Sequence, residues 1–142
     1  MNNTQSDNLT EDLGKAVWAS YCPYYAYMGV ELEHLAAGSC TVRLKAQPDI
    51  GNSKGDIHGG AIAGLLDIVS SQAVRSAYNE TVTVATINLT VNYLAKAYGD
   101  ISAVARVLRA GKTVAYVEAD VLNTEGEVVG RASATYRINL KR

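Results

Sequence analysis

Between residues 59 and 78 the chain reads GGAIAGLLDIVSSQAVRSAY, a stretch without proline in which Asp67 and Arg75 carry the only charges. Its length predicts a helix of roughly 28–30 Å at 1.5 Å per residue. Apolar or small side chains cover nearly the whole circumference, so this helix has to be buried on most sides. One face is unusually small, with Gly60, Ala63, Gly64, Asp67, Ser70 and Ser71. Such a face lets another backbone or a ligand approach closely. The rest of the chain must supply the cover.

That cover reads as strands. Val30–Leu35 and Cys40–Ala46 flank a turn at Ala36–Ser39 and form a hairpin pattern. Gln47–Asp56, with Pro48, Gly51, Asn52, Ser53 and Gly55, reads as a loop, long enough to be a place where function sits. After the helix, Thr81–Lys96, Ile101–Arg109, Thr113–Leu122 and Val128–Ile138 are rich in Val, Ile, Thr and Tyr. Their short connections predict an antiparallel meander. Ala115, Val117, Ala119 and Val121 share one face, and Val128, Gly130, Ala132 and Ala134 another. Faces this small let a sheet wrap closely around a helix. The expected architecture is α+β: a curved antiparallel sheet of about six strands around one long central helix. Thr81–Lys96 is long for a strand and is expected to bend. The sheet edges are expected to pair across a dimer axis.

Ahead of the sheet, Thr10 can cap a further N-terminal helix carrying Leu13, Ala16, Val17 and Tyr21 on one face, with Pro23 ending it. Residues 1–9 are polar and read as a disordered or flexible N-terminus, and 10–142 as one domain. Thirteen basic and fourteen acidic residues leave a formal charge of −1 with no Lys/Arg run, which argues against nucleic-acid binding. No segment approaches the ~18 apolar residues of a membrane span, and no signal peptide is evident. Cys22 and Cys40 are widely spaced and form neither a disulfide framework nor a cysteine-rich metal site. The expected setting is the cytoplasm with reduced thiols, and neither metal nor cofactor is implied.

Two histidines are present. His34 lies within a strand and reads as a surface residue. His58 stands at the end of the long loop, directly before Gly59-Gly60 and the buried helix, with Asp67 nine residues further on. A helix start offers unpaired N–H groups and positive potential, and glycines leave it sterically open. An oxyanion forming there would meet preorganised donors, as in acyl transfer. Asp67 is a carboxylate in an apolar helix, so it must meet a partner or line a wet pocket. Each feature also has a structural reading. The glycines allow tight packing, His58 can cap or pack, and Asp67 can bond to Ser70, Ser71 or backbone.

Asn52-Ser-Lys-Gly-Asp-Ile-His58-Gly59-Gly60 followed by Ala61-Ile-Ala-Gly-Leu-Leu-Asp67 resembles the N-x5-H-G-G-x6-D pattern of hotdog-fold acyl-CoA thioesterases, and within them the phenylacetate-pathway (PaaI-type) group. Thr86-Ile-Asn-Leu-Thr-Val-Asn-Tyr-Leu and Arg109-Ala-Gly-Lys112-Thr-Val-Ala-Tyr116 are similar to further segments of that group. The resemblance implies hydrolysis of an acyl-CoA to free acid and CoA, with Asp67 as general base or nucleophile. The Gly59 N–H would polarise the thioester carbonyl, and His58 would help hold the acyl carbonyl or the helix end. Asn52 would orient the attacking water from the subunit opposite Asp67. Thr86 matches a position where a small hydroxyl residue lies near the nucleophile. Strand parity, however, groups it with Asn88 and Thr90, so reaching the site requires a bulge or a site at the dimer seam. Gly60 and Ser70 fall on the substrate side. Lys112, Arg109 and Lys54 are candidate partners of the CoA phosphates, and equally can be solvated surface charges. Tyr24, Tyr25 and Tyr27 can wall an apolar acyl pocket or plug the base of the N-terminal helix. The expected assembly is a homodimer, with a dimer of dimers beyond it. Two other functions stay open: a hotdog enoyl-CoA hydratase or dehydratase, and a non-catalytic acyl-CoA-binding module.

Overall fold

A computed structural model describes residues 22–140. The helix expected from Thr10 lies outside them. The order is α1 (Pro23–Met28), β1 (Val30–Ala36), β2 (Ser39–Leu44), a 3₁₀ turn (Pro48–Ile50), α2 (Gly59–Ser76), β3 (Val82–Tyr93), β4 (Ile101–Ala110), β5 (Val114–Leu122) and β6 (Val128–Leu140). Pro23 therefore opens a helix. It occupies the first turn, where no intrahelical N–H bond is needed.

The six strands form one antiparallel sheet in the order β1-β2-β4-β5-β6-β3. The expected meander holds for β4, β5 and β6 but not for β3, which pairs with β6 at the far edge. The cause lies in α2, which packs against all six strands as it crosses the sheet. The chain leaves the helix beyond β6, lays down β3 there, and returns through residues 94–100 to begin β4.

Leu65, Leu66, Val69 and Val74 of α2 are completely buried on the concave face. Each contributes at most ~1.5–3 kcal/mol of hydrophobic stabilisation. Opposite them, Ala115, Val117, Ala119 and Val121 of β5 and Ala132 and Ala134 of β6 are buried as their small size allows. At Gly130 an added Cβ would stand 3.3 Å from Ile62 Cγ2, so the missing side chain is what lets α2 sit this close to β6. Val128 departs from its expected row. A bulge between Val121 and Leu122 of the partner strand pairing leaves it half-buried and turns Val129 into the core.

β3 does bend. Val82, Val84 and Thr86 face inward, then the pairing with β6 shifts at Ile87, and Leu89 and Val91 take over the inward positions. This bulge reverses the strand's parity halfway along.

Candidate active site

The bulge decides where Thr86 goes. Thr86 pairs with Tyr136 of β6, on the face that looks at α2. Its Oγ1 donates to Asp67 Oδ1 at 2.9 Å. The Tyr136 hydroxyl donates to the same oxygen at 2.6 Å and lies 3.0 Å from the Asp67 carbonyl. Among the described residues no hydrogen bond reaches Oδ2. Asp67 is half-buried and lines a crevice of about 260 Å³ between α1, α2 and β3. The carboxylate is thus held through one oxygen, and the other has no hydrogen-bond partner among the described residues.

Tyr136 is fully buried. Burial, and next the hydrogen bond to the Asp67 carboxylate, push its phenol well above the ordinary tyrosine range. It therefore remains a donor across the usable pH range. Its role went unnoticed in the sequence. The available signal was the inward row Gly130, Ala132, Ala134, which the tyrosine continues and in which a buried hydroxyl needs a partner. Ser70 is fully buried one turn further along α2, and its Oγ has no hydrogen-bond partner among the described residues.

His58, Gly59 and Gly60 come together at the start of the helix. His58 is the N-cap, and its Nδ1 accepts from the Gly60 N–H at 2.8 Å. The capping reading of His58 is thus realised. The Gly59 N–H has no acceptor among the described residues. The Gly59 carbonyl accepts from the Tyr93 hydroxyl at 3.0 Å, and an added Cβ would sit 3.4 Å from that ring. Tyr93 was not singled out in the sequence. Asn52 folds into its own loop, where Oδ1 accepts from the Lys54 and Asp56 N–H groups at 2.9 and 3.1 Å. It does not line the Asp67 crevice.

Residues 10–138 match the family described as "Domain of unknown function (DUF4442)". A Halobacterium salinarum protein provisionally named an esterase is 36% identical over 124 residues, 80% of this chain and 82% of that one. Human acyl-coenzyme A thioesterase 13 is 30% identical over 109 residues, 75% of this chain and 77% of the relative. The fold matches zebrafish thioesterase superfamily member 2 with a TM-score of 0.81 at 24% identity, covering 90% of this chain and 97% of that one. The chain belongs to the hotdog thioesterase superfamily. The names of its relatives support thioester or ester hydrolysis as the chemistry. The narrower PaaI-type assignment rests on the motif alone.

The remaining expected residues lie apart from the Asp67 crevice. Lys54, Arg109 and Lys112 are exposed, and no carboxylate stands within ion-pair distance of them among the described residues. Lys112 borders a separate cavity of about 340 Å³ with Tyr78 and Glu80. Among the described residues no group of three or more His, Cys, Asp or Glu gathers as a metal site. No helix among them is long and apolar enough to cross a membrane.

Proposed function

We propose that this chain hydrolyses an acyl-CoA thioester to the free acid and CoA, with Asp67 acting on the thioester. The observation that carries the reading is the one-sided bonding of Asp67. Two hydroxyls converge on Oδ1, Oδ2 has no hydrogen-bond partner among the described residues, and Asp67 lines the crevice. As general base, Oδ2 takes a proton from water while the water oxygen bonds to the acyl carbon. The C–S bond then breaks, and the CoA thiolate leaves and takes up that proton. As nucleophile, Oδ2 would bond to the acyl carbon, the C–S bond would break to release the CoA thiolate, and water would hydrolyse the resulting mixed anhydride to the free acid and the Asp67 carboxylate, its proton passing to the thiolate.

The second half of the machinery is the start of α2, where the Gly59 N–H is available to polarise the carbonyl. Gly59 and Asp67 are eight residues apart in one helix, about 12 Å along its axis. Both groups must come within about 3 Å of one reacting carbonyl. A single protomer cannot satisfy this. The reading therefore joins Gly59 and Asn52 of one subunit to the Asp67 and Thr86 side of a second copy. The unpaired outer edge of β3, with Ile87 58% and Tyr93 55% exposed, is where that copy would pair. Lys54, Arg109 and Lys112, exposed and without carboxylate partners, supply cations for the CoA phosphates.

The test is a panel of acyl-CoAs assayed with a thiol reagent. Catalytic release of CoA thiol is the expected outcome. Hydration of an enoyl-CoA without thiol release would replace this reading with a hydratase. Tight binding without turnover would replace it with a binding module.

A further inference from the structure

The three tyrosines of α1 have different fates. Tyr25 is 7% exposed, and its hydroxyl accepts from Gln72 Nε2 at 3.0 Å. Met28 is 2% exposed, and its carbonyl accepts from Gln47 Nε2 at 2.6 Å. These two residues dock α1 on α2, and Gly29, at φ 75°, ends the short helix there. Tyr27 turns outward, 75% exposed. Tyr24 does neither. It lies along the crevice that Asp67 lines, with its hydroxyl over Gly64.

The contact with Gly64 is close. An added Cβ at Gly64 would come within 2.9 Å of the Tyr24 hydroxyl oxygen. Gly64 precedes Asp67 by three residues, about 4.5 Å along the helix. Tyr24 thus stands one turn from the reacting carboxylate, held by a helix that Tyr25 and Met28 fix from behind. The crevice it bounds within one protomer is about 260 Å³. Ile68 and Val84 give it apolar walls.

We infer that Tyr24 is a specificity-determining residue that limits the acyl group to a compact one, a short chain or a single ring. This rests on the thioesterase reading above. The glycine at position 64 is what lets the ring stand this close to Asp67.

The test compares kcat/KM for butyryl-, phenylacetyl-, octanoyl- and palmitoyl-CoA in the wild type and in Tyr24→Ala, Tyr24→Phe and Tyr27→Ala. The wild type is expected to favour butyryl and phenylacetyl esters and to fall off sharply toward palmitoyl. Tyr24→Ala should raise the palmitoyl-to-butyryl ratio by roughly tenfold or more, the scale of a changed apolar pocket wall. Tyr24→Phe keeps the ring, Tyr27→Ala removes an outward one, and both should keep the wild-type ratio. An active Tyr24→Ala variant with an unmoved ratio, or with equal loss on every ester, would overturn the inference and leave the thioesterase reading standing. A wild type that releases no thiol from any ester would overturn both.

Discussion

Replacing Tyr136 with Phe removes one oxygen from the site and little else. The ring is fully buried and keeps its packing. What disappears is a 2.6 Å bond to Asp67 Oδ1. A hydrogen bond to a charged group is worth about 1.5–3 kcal/mol. Thr86 still donates to that oxygen at 2.9 Å, and Asp67 is open to water on the crevice side, so the stability loss belongs near about 1.5 kcal/mol. Urea unfolding reads this as a lowered midpoint with an unchanged slope. The kinetic effect has a different origin. With one donor left, the carboxylate rotates more freely, and Oδ2 spends less time aligned on the substrate. A loss of about 1.4 kcal/mol in transition-state stabilisation is tenfold in kcat. Unchanged kcat in a variant showing the expected destabilisation would refute the claim that Tyr136 positions Asp67.

Two further outcomes follow from the structure. Burial pushes the Cys40 thiol up to about 12, whereas Cys22 sits half-buried beside the crevice, so a thiol reagent near neutral pH should label at most one cysteine in the folded protein and both after unfolding; labelling of two in the native state would contradict the packing of β2. If Asn52 and Asp67 of different subunits build one site, refolding a mixture of Asn52→Ala and Asp67→Asn chains should restore roughly a quarter of the wild-type activity, because half the dimers are mixed and each holds one intact site of two. No recovery in a mixture shown to exchange subunits would contradict the shared site.

The central helix and its Asp67 could be read directly, because one carboxylate in an otherwise apolar and small-residue segment has few places to go. Thr86 was legible as a problem rather than an answer. Parity pointed it away from the site, and the bulge at Ile87 that resolves the conflict is set by pairing with β6, which local pattern does not encode. Tyr136 is 69 positions from Asp67, and its role appears only when β3, β6 and α2 are assembled. The position of β3 failed for a related reason. Short connections favour neighbouring strands, but a helix that packs across the entire sheet delivers the next strand to the opposite edge. The short helix that Pro23 opens is not legible as one, because the fixed φ that stops a preceding helix equally suits the first turn of the next. The tyrosines before β1 could not be sorted from sequence, because consecutive positions on a short helix face different neighbours only once the helix is docked.

The most direct measurement is the turnover of the preferred acyl-CoA by Asp67→Asn, with its unfolding curve recorded alongside. The amide oxygen can still accept from Tyr136 and Thr86, so the fold should persist. Without a carboxylate to take a proton or attack carbon, kcat should fall by ~10²-fold or more. A folded variant that still releases CoA at close to the wild-type rate would contradict the assignment of the chemistry to Asp67.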